Sequence, residues 1–201
     1  MAGRIVVLIS GSGTNMEALA DACDRADVPA EISAVIADRD CIGLQAAEKR
    51  DIPTAIVDFA DFGSREEWSQ ALRDAVDKHE PNLVVSAGFM RLLAPVFVDA
   101  FHGRLINLHP SLLPAFPGAS AVQEALEAGV QVTGSTIHFI DHEVDHGPII
   151  MQEAVRIEPG DSAESLHERI KSVEHRLLPH VCRLFLDGKI ELEEGKVRVI
   201  D

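Results

Sequence analysis

Cysteine is scarce in this chain: three in 201 residues. Cys23, Cys41 and Cys182 are far apart, odd in number and form no CxxC pair, which argues against a disulfide framework and against a cysteine metal set. They read as reduced, mostly buried thiols of a cytoplasmic protein. A basic stripe is missing too. Lys and Arg number 18 against 33 Asp and Glu, a formal net charge of −15, so nucleic acid is not expected as a partner. The acidity itself reads as solubility. No charged leader precedes MAGRIVVLIS, no small-residue cleavage site follows it, and no apolar run is long enough for a bilayer. Neither a signal peptide nor membrane association is expected. No linker, internal repeat or low-complexity segment interrupts the chain, which suggests one domain over residues 1–201.

What is present is a core-forming composition, 46% hydrophobic and 25% charged, arranged as alternating strand and helix patterns. Ile5–Ile9 is a short continuous apolar run, suited to a strand buried on both faces. Met16, Leu19, Ala20 and Cys23 then recur at helical spacing. Ile32–Ala37, Ala55–Val57, Leu83–Ala87 and Leu105–Leu108 read as further strands. Gly43–Arg50 and the Trp68, Leu72, Ala75, Val76 stripe read as helices, the second closed off by Pro81. This order predicts an α/β fold: a single doubly wound, mainly parallel sheet with helices on both faces. After about residue 130 the pattern changes. Val130–Ile140 and Ile149–Ile157 predict two strands joined by the turn-rich DHEVDHGP, an antiparallel C-terminal extension. Asp161 with Glu164 predicts a capping box for a long last helix ending near Gly188. Ile190–Ile200 predicts a terminal hairpin turning at Glu194-Gly195.

Two places carry chemistry. Residues 10–15, SGSGTN, lie between the first strand and the first helix. Gly11 and Gly13 let the backbone turn and expose its N–H groups, and Thr14 and Asn15 add side-chain donors where the helix dipole favours an anion. Phosphate is the expected ligand. The loop is neither G-x-G-x-x-G nor Walker A, since TNMEA and not lysine follows the second glycine. The competing reading is a plain turn with Thr14 as N-cap and Glu17 completing a capping box.

The second place is INLHPSLLPAFPG, residues 106–118. Asn107 and His109 leave the end of a buried strand at i, i+2, on one side of an extended segment. Pro110 holds His109 extended, and Pro114 and Pro117 stiffen the loop. An amide donor beside an imidazole suits a carbonyl that becomes an oxyanion: the amide stabilises charge and the imidazole moves a proton. Asp145, in HEVDHGP, is the expected third member, orienting the ring. Singly, each residue also fits a structural role. Asp141, His142, Glu143 and His146 crowd the same stretch, but their spacing fits no strong metal template.

Together, LISGSGTN, SAGFMRLL (86–93), NLHPSLLPAFPG, GSTIHFIDHEVDHGPII and RIKSVEH (169–175) resemble the formyltransferases that use 10-formyltetrahydrofolate. The match runs over nearly the whole chain. Within that family the resemblance points to the branch acting on 5′-phosphoribosylglycinamide in purine biosynthesis. It implies formyl transfer to that amine, with Asn107 holding the formyl oxygen, His109 as general acid and Asp145 orienting His109. It places the phosphate on Gly13, Thr14 and Asn15, with Lys171 and Glu174 near the amine substrate. It places the folate on Arg65, on Met90, Arg91, Leu92 and Leu93, on Asn107, and on Asp141, His142, Glu143, Val144 and Asp145. A phosphate-binding part over 1–100 and a folate-binding, catalytic part over 101–201 follow. Formyl folate enters as co-substrate, with no metal; the protein would be a cytoplasmic monomer or homodimer. One stretch departs from the family. After PG many relatives carry histidine, whereas Ser120 and Val122 stand here; His138, in TIHF, does match. Three alternatives stand beside this reading. A methionyl-tRNA formyltransferase is expected to carry an added C-terminal domain. A formyltetrahydrofolate hydrolase is expected to carry an N-terminal regulatory domain and to lack the proline after its histidine. The third is a non-catalytic phosphate-binding module.

Overall fold

Strand β1 (Gly3–Ile9) lies inside the sheet, and Ile5 through Ile9 are completely buried. The computed structural model of the chain describes residues 2–200. Successive side chains of β1 leave on opposite faces. Ile5, Val7 and Ile9 join Met16, Leu19, Leu44, Leu177 and Cys182, while Val6 and Leu8 join Trp68, Leu72, Phe97 and Phe101. Helices on both faces are the reason the strand is apolar throughout instead of alternating.

Chain order continues with α1 (Thr14–Asp24), β2 (Ala30–Ala37), α2 (Ile42–Glu48), β3 (Thr54–Ile56), a 3₁₀ turn over Phe59–Asp61, α3 (Arg65–Asp77), β4 (Leu83–Ser86), α4 (Pro95–Ala100) and β5 (Leu105–His109). Then come α5 (Ala121–Glu127), β6 (Val132–Phe139), β7 (Ile149–Arg156), α6 (Ala163–Leu186), β8 (Ile190–Glu193) and β9 (Lys196–Val199). The seven-stranded sheet has the order β3-β2-β1-β4-β5-β6-β7. Strands β1 to β5 run parallel, and β6 is antiparallel to both β5 and β7. The expected α/β architecture is present. β8 and β9 form the hairpin read from the sequence, with Glu194 and Gly195 both at positive φ, as a tight two-residue turn requires. Because β1 lies between β2 and β4, the connections leaving β1 and β4 diverge and open a crevice at their carboxyl ends.

Three local expectations are corrected. The cap of α6 is Ser162 with Ser165, not Asp161 with Glu164; Asp161 instead takes Arg169 and the Ser165 hydroxyl. The first residue outside α1 is Gly13, in the left-handed conformation, so Thr14 is inside the helix and does not cap it. Helices α4 and α5 were not foreseen.

Candidate active site

Asn107 and His109 both project from β5. In the ladder to β6, Asn107 stands opposite His138 and His109 opposite Thr136; in the ladder to β4, Asn107 stands opposite Ser86. The Asn107 carboxamide is held on both sides. Ser86 Oγ donates to its Oδ1 at 2.8 Å, and its Nδ2 lies 3.3 Å from His138 Nε2.

The stretch from Asp141 to Pro148 folds back over the end of β6. A side chain at Gly147 would stand 1.9 Å from the Phe139 carbonyl oxygen, so only glycine permits this close approach. Asp145 sits there at φ 52, a left-handed conformation that aspartate tolerates. Its Oδ2 accepts from the Gly118 N–H at 2.7 Å and faces His109 Nδ1 at 3.3 Å; its Oδ1 is 3.7 Å from His138 Nε2. The structure therefore brings Asn107, His109 and Asp145 together.

The proline-bearing loop has a definite task. Its Phe116 carbonyl accepts from His109 Nε2 at 2.8 Å, so the imidazole is gripped between a backbone oxygen and the Asp145 carboxylate. The loop is pinned in turn from the sheet. Thr136 donates to the Ser111 carbonyl at 2.7 Å and accepts from the Leu113 N–H, and Gln152 donates to the Leu113 carbonyl at 2.8 Å. After the loop, Ser120 is exposed at the start of α5, and Val122 is buried against Leu166, Ile170 and Val173.

The glycine loop follows β1, which β4 separates from β5 in the sheet. Gly13 has φ 74, and a β-carbon on it would meet the Gly43 Cα at 2.8 Å. The Gly43 N–H donates to the Gly11 carbonyl at 3.0 Å, which locks the start of α2 onto the loop. The Asn15 side chain is held in place: its Nδ2 donates one N–H to Glu174 Oε2 at 2.8 Å, which leaves its second amide N–H and its backbone N–H for an anion. Glu174, buried in α6, also accepts from Ser135 Oγ at 3.3 Å. It thus joins the glycine loop to β6. Lys171, one turn earlier, pairs with Glu168.

The segment that follows β4 touches the glycine loop and the end of β2. The Met90 N–H donates to Ser10 Oγ at 2.8 Å, and Arg91 Nε donates to Asp38 Oδ2 at 2.7 Å while its guanidinium stacks over Phe59. Asp38, at the end of β2, has no solvent exposure and also takes Arg39 at 2.7 Å. Burial alone would raise its pKa; hydrogen bonds from Arg39, Ser10 and Arg91 outweigh that and hold it below the ordinary aspartate value. Met90 and Leu92, just beyond β4, and Val144, in the turn after β6, are large apolar side chains left exposed, at 67%, 55% and 53%. Leu93 packs inward. Arg65 opens α3 at the same edge, exposed. Of the acidic turn, Asp141 accepts from the Glu143 N–H and from His146, and His142 pairs with Asp99. The hydrogen bond that His146 donates to Asp141 raises the His146 pKa.

Ser86, Thr136, Gln152 and Asp38 were missed from the sequence. Ser86 and Asp38 stand at or just beyond the ends of the buried strands β4 and β2, which was the available signal; Thr136 and Gln152 lie inside β6 and β7 and carry none.

An amide, an imidazole and a carboxylate gathered at the carboxyl edge of an open parallel sheet have the chemistry of carbonyl-group transfer. Residues 3–182 match the family model described as Formyl transferase, and the chain belongs to that family. It is 49% identical over 175 residues to the phosphoribosylglycinamide formyltransferase of Mycobacterium tuberculosis, covering 87% of this chain and 81% of that protein. It is 44% identical over 196 residues to the trifunctional purine biosynthetic protein adenosine-3 of Gallus gallus, spanning 96% of this chain and 20% of that protein. Among solved structures, glycinamide ribonucleotide transformylase 1 from Symbiobacterium toebii superposes with a TM-score of 0.97 at 44% identity, over 100% of this chain and 95% of that one.

Proposed function

We propose that the chain transfers the formyl group of 10-formyltetrahydrofolate to the amine of 5′-phosphoribosylglycinamide, a step of purine biosynthesis. The observation that carries this reading is the Asn107–His109–Asp145 cluster at the carboxyl edge of the sheet, the edge that the glycine loop and the Met90–Leu93 segment share. The phosphate of the amine substrate takes the backbone N–H groups around Gly13, Thr14 and Asn15 at the start of α1. Glu174 lies beside that loop, where a buried carboxylate receives the hydrogens of the amine substrate. The folate lies along Met90–Leu93 and Asp141–Asp145, with Arg65 and Arg91 as cations for its carboxylates. The apolar side chains there suit a flat heterocycle. The phosphate loop thus belongs to the 1–100 part and the catalytic residues to the 101–201 part, while Arg65 and Met90–Leu93 bring folate contacts from the first part.

In the reaction a bond forms from the amine nitrogen to the formyl carbon, and the bond from that carbon to the folate nitrogen breaks. Asn107 Nδ2 donates to the formyl oxygen as negative charge develops on it. The attacking amine must lose a proton and the leaving nitrogen must gain one. The His109–Asp145 pair, as one coupled unit, moves it. No helix among the described residues is long and apolar enough to cross a membrane. Cys23, Cys41 and Cys182 are free thiols, which fits a cytoplasmic enzyme.

The test is incubation with a 10-formyl folate, with and without phosphoribosylglycinamide, following the folate absorbance. The expected result is a change that requires the amine. A change without it would make the chain a hydrolase, and no change in either case would leave a binding module.

A further inference from the structure

The oxygen and nitrogen ends of a carboxamide have nearly the same shape, yet only the nitrogen end can donate to a formyl oxygen. The structure contains a device that chooses between the ends. His138 Nδ1 lies 2.8 Å from the Phe139 carbonyl oxygen, which can only accept, so Nδ1 carries the proton. The neutral ring then presents Nε2 as an acceptor, and Nε2 is the atom 3.3 Å from Asn107. An acceptor there requires the NH₂ end of Asn107. One of its two N–H groups goes to His138, and the other takes no partner among the described residues. Ser86 Oγ, 2.8 Å from the Asn107 oxygen, donates to it. A hydroxyl works equally well as donor or acceptor, so Ser86 reinforces the choice and His138 makes it.

We infer that His138, assisted by Ser86, is a positioning residue that fixes the Asn107 carboxamide with a free N–H toward the formyl group. The inference rests on the formyl-transfer reading above. The fold supports it at two further points. Ser86 and His138 are the direct ladder partners of Asn107 on β4 and β6, so the backbone register sets their distances. The β6–β7 ladder slips between Ile137 and His138, whose partners step from Met151 to Ile149. An irregularity of this kind re-aims a side chain beside a site.

His138 stays neutral against its neighbours. Asp145, 3.7 Å away, and Asp141 favour the charged ring; His109 opposes it. Burial is the largest influence, and it lowers the His138 pKa below the ordinary 6.5. Protonation of Nε2 would replace the acceptor with a donor and remove the preference for the NH₂ end.

The experiment measures amine-dependent turnover, folate-analogue affinity and melting temperature for Ser86→Ala, His138→Phe and His138→Gln, each with Asn107 present and in an Asn107→Ala background. Glutamine can place a carbonyl oxygen where Nε2 stands; phenylalanine cannot. With Asn107 present, His138→Phe should lower kcat by about tenfold, Ser86→Ala by about threefold, and His138→Gln by clearly less than Phe, with folate-analogue affinity unchanged. In the Asn107→Ala background none of the three should matter further. The fall of kcat at acid pH should move to lower pH in His138→Gln. Equal losses in both backgrounds, or Gln as poor as Phe at an unchanged melting temperature, would overturn the positioning role. A wild-type chain without amine-dependent turnover would overturn the formyl-transfer reading itself, and the inference with it.

Discussion

Gly13→Ala separates conformational strain from steric conflict in the glycine loop. At φ 74, any residue with a β-carbon costs roughly 1–2 kcal/mol relative to glycine. At Gly13 the new carbon also meets the Gly43 Cα at 2.8 Å, well inside van der Waals contact, and that neighbour is backbone held by its own bond to Gly11. Either the loop or the start of α2 must move by about 0.5 Å, at roughly 1–3 kcal/mol more. The sum is about 2–5 kcal/mol, a fall in Tm of roughly 5–15 °C for a domain of this length. Gly103→Ala is the matched control. Its φ is 73, but a β-carbon there meets nothing within 4 Å, so it should show the first contribution alone. Thermal melts followed by circular dichroism measure both. Since the moved atoms carry the N–H groups offered to phosphate, Gly13→Ala should also raise the KM for the phosphorylated amine by about tenfold. Folate-analogue affinity by calorimetry should hold. If Gly13→Ala melted no lower than Gly103→Ala, the contact with Gly43 would not be energetically real. An unchanged amine KM would remove the loop from the phosphate.

Asn107→Ala, His109→Ala and Asp145→Ala should each lower kcat by about a hundredfold or more while the fold persists by circular dichroism; near-normal turnover in His109→Ala would take proton transfer away from that residue. Asp38→Asn should lower stability by about 2 kcal/mol, since it removes the charge that Arg39 and Arg91 share, discounted for the partial exposure of both cations. It should also raise the KM for formyl folate by about fivefold through the loosened Met90–Leu93 segment, and an unchanged KM would detach Asp38 from the folate site. The pH dependence of that substitution has a definite sign. Asp38 has a pKa below its unfolded value of 3.8, so its contribution is complete above 3.8 and is lost as pH falls through the folded value. The melting-temperature gap between wild type and Asp38→Asn should therefore be widest near neutrality and close in strong acid.

Residues close together in the chain were enough to read much of this molecule. Ile5–Ile9 is a continuous apolar run, and Leu83–Ala87 and Leu105–Leu108 are apolar except for Ser86 and Asn107, because both faces of a parallel sheet are covered, and that condition leaves a local mark. The i, i+2 spacing of Asn107 and His109 and the turn chemistry at Glu194-Gly195 are legible for the same reason: the period of a strand and the sign of φ belong to a few adjacent residues. Where several polar groups compete locally, the reading was less secure. Ser162 and Ser165 took the cap of α6 that Asp161 and Glu164 were expected to hold, because Asp161 could reach Arg169 as well. Helices α4 and α5, of six and seven residues, give at most two turns of pattern; α2, also of seven residues, was nonetheless legible from Gly43–Arg50. Only the tertiary structure decided what each polar group faces. That the Asn15 amide is anchored by Glu174, 159 residues later, cannot be read from its neighbours in the chain. Gly13 reads as a flexible turn until Gly43 arrives against it. Ser86, Asn107 and His138 become one hydrogen-bonded row because β4, β5 and β6 are neighbours in the sheet. A side chain's type and its place along a strand are properties of the local sequence. Its hydrogen-bond partner is set by strand order and register, which hydrophobic burial over the whole chain selects.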